Sequence, residues 1–372
     1  MHLKKHLISL AVTSTLVTPG LANADVYGFV SVGVENTSIT GNGASSEIFA
    51  TGVDGSTHAQ DVAESRIGYK GSKELGDGMS ASVKLEFGIG TSDFQSQGAT
   101  NEDASPTTRL AQIGLSGDFG TFTAGTQWGI LYEYLGWNVW RTHGHGAGTW
   151  YWTTKNINDD AFGLRVDNAF TYTYGGGGYS TDAFTFSVQL IAEPDTNAVA
   201  GSPAVVVADL NGNTFTQTEA VNASPANDEL LDAVVFGAAY TSGDLTINAV
   251  SYTENDASGA AEPSLLGFGA RYNLSPDTYV GGTYMTVDND AGADISSLNV
   301  LLTHNLGNGL SGMIGYGQGD GDNAIADLDS NFFIEFEKDY GQGIIAYVEI
   351  ETAELSSGDK TQIIAGNLKY NF

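Results

Sequence analysis

The stretch Met79-Ser80-Ala81-Ser82-Val83-Lys84-Leu85-Glu86-Phe87-Gly88-Ile89 alternates between two kinds of side chain. Met79, Ala81, Val83, Leu85, Phe87 and Ile89 share one face of an extended chain, and Ser80, Ser82, Lys84, Glu86 and Gly88 share the other. A helix would mix these sets; a strand separates them. The same separation sets Phe184, Phe186, Val188 and Leu190 against Thr185, Ser187 and Gln189. It also sets Phe332, Ile334 and Phe336 against Asn331, Phe333, Glu335 and Glu337.

Followed outward in both directions, the pattern predicts sixteen strands, over 25–36, 64–72, 79–90, 107–116, 120–128, 165–174, 182–192, 230–241, 244–254, 264–273, 278–288, 295–305, 309–318, 329–338, 342–353 and 361–372. Some neighbours are joined by short turns such as Ser242-Gly243 and Leu306-Gly307-Asn308-Gly309, built from the residues tight turns require. Others are separated by long polar stretches, notably 37–63, 91–106, 129–164 and 193–229. A soluble sandwich also alternates. Three features favour another architecture. The strands run ~8 to 12 residues, which suits a tilted bilayer crossing better than the ~5 to 6 of soluble sheets. Loop lengths alternate, and the final segment, Ile364, Gly366, Leu368, Tyr370 and Phe372, is an apolar-alternating strand able to close on the first. The expected fold is all-β: a sixteen-stranded antiparallel transmembrane β-barrel with long extracellular loops and short periplasmic turns. Tyr27, Tyr240, Tyr272, Tyr279 and Tyr370 fall near strand ends, where amphipathic rings suit the headgroup boundary.

Residues 1–24 have the layout of a cleaved secretory signal: Lys4 and Lys5, the apolar run Leu7 to Leu16, then Ala22-Asn23-Ala24 before Asp25. The barrel is therefore assigned to 25–372. No later run reaches the ~18 apolar residues a spanning helix needs. The 49 glycines, 17 tyrosines and 17 phenylalanines against 7 prolines favour extended, tightly turned structure. With no cysteine there is neither a disulfide framework nor a thiolate metal site. Net charge is −30, and loss of Lys4 and Lys5 takes it to −32. Such a chain repels phosphate backbones, which disfavours nucleic acid as a partner.

Several stretches resemble the trimeric general porins of Gram-negative bacteria, above all the neisserial and β-proteobacterial type. They are Val26-Tyr27-Gly28, Ser65 to Gly78 (SRIGYKGSKELGDG), Ile113 to Thr121 (IGLSGDFGT) and Arg165 to Tyr172 (RVDNAFTY). Terminal Phe372 resembles the signal read by barrel-assembly machinery. The resemblance is clear over about residues 25–190. It implies a homotrimer in the cell outer membrane, in contact with lipid and lipopolysaccharide, passing small hydrophilic solutes and ions. It further implies a third loop folded into the barrel, with basic residues facing acids on that loop. By strand parity Arg66, Lys70, Lys84 and Glu86 face the lumen, and so do Arg165 and Asp167. Where the family commonly has Gly-Arg-Gln this chain has Gly125-Thr126-Gln127, so one basic residue is missing. The loop's acids, Glu133, Asp159 and Asp160, are candidates to face the cluster, with Arg141 a further charge at the constriction.

The segment Trp128 to Trp152 follows the fifth strand, where the family's constricting loop departs, and holds every tryptophan of the chain. Trp137, Trp140, Trp150 and Trp152 either stack on solutes, giving a substrate-selective channel for sugars or similar molecules, or brace the loop against the wall. No catalytic site, cofactor or metal is expected. His58, His143, His145 and His304 have no identifiable nucleophile beside them. His143-Gly144-His145 supplies too few ligands for a structural metal. Asp288, Asp290, Asp294, Asp320 and Asp322 do not match a calcium-loop pattern and read as solvated loop charge.

Overall fold

The computed structural model describes residues 23–40, 45–51, 65–89, 107–142, 148–155, 164–178, 180, 183–192, 205–208, 214–218, 231–254, 263–288, 294–321, 328–355 and 358–372. The strands are β1 (Asn23–Thr40), β2 (Ser45–Thr51), β3 (Ser65–Gly76), β4 (Met79–Ile89), β5 (Thr107–Gly117), β6 (Gly120–Trp128), β7 (Arg165–Tyr174), β8 (Phe184–Ile191), β9 (Val205–Ala208), β10 (Thr214–Thr218), β11 (Ala233–Ser242), β12 (Leu245–Glu254), β13 (Ser264–Ser275), β14 (Thr278–Asp288), β15 (Ile295–Gly307), β16 (Leu310–Gly321), β17 (Leu328–Gly341), β18 (Ile344–Leu355) and β19 (Lys360–Asn371). Seventeen belong to one antiparallel sheet. It closes where Phe29 to Thr40 of β1 pair with Asn371 to Lys360 of β19, while Asn23 to Phe29 pair with Ser72 to Arg66 of β3. Short β2 pairs with the upper part of β1, from Gly33↔Thr51 to Ile39↔Ser45, and is an addition to the sixteen strands of the barrel.

All sixteen strands read from the alternation are present, with ends shifted by a few residues. Strands also occur inside two stretches expected to be loops: β2 within 37–63, and the separate β9–β10 hairpin within 193–229. Tight turns on one rim follow from residue chemistry. Asp77-Gly78 and Asn308-Gly309 both carry positive φ at both positions, 51° and 73°, and 53° and 72°. That is the geometry whose twist matches a two-residue hairpin, and Asp-Gly and Asn-Gly adopt it at least cost.

Outward-facing apolar side chains form the exposed belt, including Phe236, Tyr240, Ile247, Phe268, Tyr272, Leu298, Phe336 and Tyr370. Tyr27 and Tyr279 do not join the boundary ring expected of them. Both turn inward, Tyr27 to the Glu86 carboxylate at 3.0 Å and Tyr279 to the Asn138 carbonyl at 2.9 Å, because a phenol near a strand end takes whichever polar partner its parity offers. No described helix is long and apolar enough to cross a membrane.

The buried apolar core lies inside the barrel, between its inner wall and the chain that follows β6. Ile130, Leu131, Tyr134, Leu135, Val139, Trp140 and Trp150 from that segment pack on Val235, Val250, Tyr252, Leu265, Met285, Leu301 and Phe333 from the wall.

Candidate functional site

The segment after β6 opens with the Gly129 amide donating to the Leu164 carbonyl at 2.8 Å, which pins the base of the loop. A π-helical turn, Tyr132–Gly136, and a helical turn, Trp137–Val139, then carry it across the inner wall. The Tyr134 hydroxyl lies 2.9 Å from that of Ser187 on β8, and Asn138 Nδ2 donates to Asn248 Oδ1 on β12 at 3.1 Å. A helix, Gly148–Lys155, ends the described path, with the amides of Thr149 and Trp150 donating to Asn331 Oδ1 on β17 and Asn299 Oδ1 on β15. Close approach depends on wall residues without side chains: a β-carbon at Gly281 would collide with the Asn138 carbonyl oxygen, and one at Gly317 with the Thr149 hydroxyl. The loop is thereby held against the arc from β8 to β17.

The opposite arc is charged. Glu86 on β4 accepts from Arg66 Nη1 at 3.3 Å, Arg109 Nε at 3.0 Å and the Tyr27 hydroxyl at 3.0 Å. Lys70 and Lys84 lie 5.5 and 6.0 Å from the Tyr27 ring, and Arg66 and Lys369 lie 4.5 and 4.0 Å from the Phe29 ring. Each ring offers its negative face to two cations that would otherwise repel one another. Beyond Lys369 comes an acidic sector of Glu35, Glu335, Glu349 and Glu351, all buried. Glu335 and Glu349 are directly opposite in the β17–β18 ladder. Glu351 Oε1 accepts from Asn331 Nδ2 at 3.2 Å, so this sector also steadies the seat of the loop helix.

Arg66, Lys70, Lys84 and Glu86 therefore meet in one cluster. Glu133 on the loop is their counterpart: it is half-buried, and burial pushes its pKa up to about 7 against the opposing pull of the Lys84 ammonium. Burial likewise pushes the Tyr132 hydroxyl up to about 12, opposed by Arg66, Arg141, Arg165 and Arg109. Arg141 sits apart from the Glu86 cluster, 3.7 Å from the Tyr279 ring and 5.1 Å from that of Trp137. Arg165 lies 5.7 Å from the Trp128 ring.

Asp167 departs from expectation. β7 carries an extra residue here, so that Gly125↔Ala169 is followed by Gln127↔Val166, and Asn168 takes φ of 47°. The bulge puts Val166 and Ala169 on the same buried face and leaves Asp167 exposed beside Asn168, outside the cluster.

Of the two roles open to the tryptophans, stacking on solutes or bracing the loop, burial favours bracing for two of them. Trp150 is 0% and Trp140 6% exposed, and both meet Tyr132 edge to face at 6.1 and 6.4 Å. Enclosed rings have no face to offer a solute. Trp137 is exposed, while the Trp152 side chain lies outside the described residues. His58, His143, His145, Asp159, Asp160, Asp290 and Asp322 also lie outside them. His304 Nδ1 is 2.9 Å from the Thr278 hydroxyl. Among the described residues no three of His, Cys, Asp and Glu are grouped to hold a metal.

Parity alone missed Arg109. Glu86 pairs with Leu110 and Phe87 with Thr108, so Arg109 is the extra residue of a bulge and turns inward beside buried Leu110. Lys369, Arg271 and the acidic sector were also passed over. One signal was available: the chain has only five arginines, Arg66, Arg109, Arg141, Arg165 and Arg271, and all five lie on or beside the loop and the arc facing it.

A family profile described as Gram-negative porin matches residues 10–324. The chain belongs to the Gram-negative porin family. It is accordingly an outer-membrane β-barrel. This porin is 31% identical over 139 residues to the major outer membrane protein P.IB of Neisseria meningitidis serogroup B, covering 37% of this chain and 38% of that one. It is 32% identical over 85 residues to outer membrane protein S2 of Salmonella typhi, covering 23% and 21%. The matched stretches thus span well under half the length of these curated relatives. Among solved structures, an anion-selective porin from Comamonas acidovorans superposes with a TM-score of 0.67 at 16% identity, covering 94% of this chain and 99% of that one. OmpF of Salmonella typhi in complex with daunomycin follows at 0.63 and 15% identity, covering 94% and 97%. At such identities the likeness is one of fold.

Proposed function

We propose that this porin forms a water-filled channel for passive diffusion of small hydrophilic solutes and ions, narrowed by the loop after β6. The observation that carries the reading is the seating of Ile130–Val139 and Gly148–Lys155 inside the barrel, opposite a charged arc. Residues Arg66, Lys70, Lys84, Glu86 and Arg109 on the wall, with Glu133 on the loop, are the pore-lining set. Burial of Trp140 and Trp150 favours bracing over solute stacking, and so a general pore over a sugar-selective one. A homotrimer is the proposed assembly, in line with the trimer form described for OmpT of Vibrio cholerae, which superposes at a TM-score of 0.59. The exposed apolar belt would face lipid. Residues 1–24 are proposed to be removed as a signal, leaving Asp25 as the first residue.

Single-channel recording in planar bilayers tests this. A large conductance unaffected by added sugars is expected, and deletion of 137–152 is expected to raise it. Saturable block by sugar, or unchanged conductance in an assembled deletion variant, would overturn the general-pore or the constriction reading respectively.

A further inference from the structure

Six of the seven turns on the periplasmic rim are two residues long, from Asp77-Gly78 to Gln342-Gly343. The seventh, 175–183 between β7 and β8, has nine residues and opens with Gly175-Gly176-Gly177-Gly178. Two of its described residues, Gly177 and Gly178, lie against the loop segment after β6. Gly177 and Gly178 are buried. A β-carbon at Gly178 would collide with the Glu133 carbonyl oxygen and lie 2.8 Å from the Tyr134 α-carbon, and one at Gly177 would lie 3.7 Å from Glu133 Oε2. Gly175, Gly176 and Gly177 all have positive φ, 74°, 82° and 77°. Three successive left-handed residues, followed by one with no room for a side chain, are adopted at least cost by glycine.

A second observation is independent of the glycines. Arg271 on β13 donates from Nη1 to the Gly178 carbonyl at 2.9 Å and from Nη2 to the Ser180 carbonyl at 3.3 Å. One guanidinium thus clamps two backbone oxygens of a turn more than 90 residues away in sequence. Charge-assisted bonds from a planar fork fix position as well as contributing energy, and a turn hanging free in the periplasm would have no use for them.

We propose that the Gly175–Gly178 turn is a second narrowing element of the pore, entering from the periplasmic side to hold Glu133 from beneath, with Arg271 as the positioning residue that latches it. This rests on the constriction reading above. The turn is the floor on which the loop's acid stands, so the narrowest passage is shaped from both sides of the membrane.

The chain has no cysteine, so Ser180→Cys supplies a unique thiol. In oriented bilayers, a negatively charged methanethiosulfonate added from the periplasmic side is expected to lower single-channel current in discrete steps. Full labelling, verified by mass, with unchanged current would overturn the proposal. Arg271→Met is expected to give a noisier channel of higher conductance, and Arg271→Lys to restore part of the wild-type trace. Wild-type conductance and noise in assembled Arg271→Met would likewise overturn it. Should that variant not assemble, the Ser180→Cys experiment still decides. Failure of the constriction reading looks different: it shows in the loop deletion, with the turn intact.

Discussion

The two halves of the inner wall obey the same alternation and put it to opposite uses. From β8 to β16 the inward residues include Val235, Val250, Leu265, Met285 and Leu301, and the loop covers them. From β17 through β19, β1 and β3 to β5 they also include Glu335, Glu349, Lys369, Glu35, Arg66, Lys84, Glu86 and Arg109. The first half behaves as a protein core turned inside out, where removal of apolar area from water holds the loop down. The second half holds charge. The difference teaches how the proposed channel would be laid out: the loop closes the packed side, which would leave solutes and ions to pass along the charged side.

The largest effect expected from breaking this contrast is on the charged side. Glu86→Gln leaves Arg66 and Arg109 without the carboxylate that pairs them, and loss of one partner from a buried charge network costs ~3–5 kcal/mol. The detergent-solubilised barrel should unfold at lower urea, and its reversal potential should move toward anions. Unchanged urea stability would show that the pair is solvated in the pore.

On the packed side, Trp150→Ala removes a ring that is fully enclosed. Truncating a buried aromatic costs ~3–5 kcal/mol, offset here in part by water entering from the lumen. All five tryptophans lie between Trp128 and Trp152, so intrinsic fluorescence reports on the loop and little else. A red-shifted emission with the far-ultraviolet β spectrum retained is the expected signature of an unseated loop on an intact barrel.

A smaller effect sharpens the boundary between the halves. With its pKa near 7, Glu133 is largely neutral below that pH and charged above it. Between about pH 6 and about pH 8 the constriction therefore gains negative charge, and the potassium-to-chloride permeability ratio should rise. In Glu133→Gln the rise should vanish. If it persists, the titrating group belongs to the acidic sector.

The smallest effect is a general one. With a net charge of −30 before any processing, the mouths should concentrate cations at low salt. The Debye length falls from ~30 Å at 0.01 M to ~3 Å at 1 M, so any cation preference should shrink across that range. A preference for chloride at 0.01 M would mean that the Arg66–Lys84–Arg109 cluster outweighs the distant loop charge.

Much of this was decided by sequence alone. Period-two alternation, Asp-Gly and Asn-Gly turns and the spacing of polar stretches are local properties, and they were enough to place all sixteen barrel strands. The tertiary structure decided what alternation cannot carry. One extra residue at Arg109 and another beside Asn168 each reversed a parity, because a bulge changes facing without changing the apolar pattern around it. Burial of Trp140 and Trp150, and the inward turn at Gly175–Gly178, depend on which distant strands lie opposite. Val235, Leu265 and Met285 read locally like any inward strand residue; only closure of the barrel, by pairing Phe29 with Asn371, brings the loop that covers them into register. The physical reason is range: strand facing is set by neighbours one and two residues away, whereas the site is shaped by contacts between residues from 20 to 182 apart.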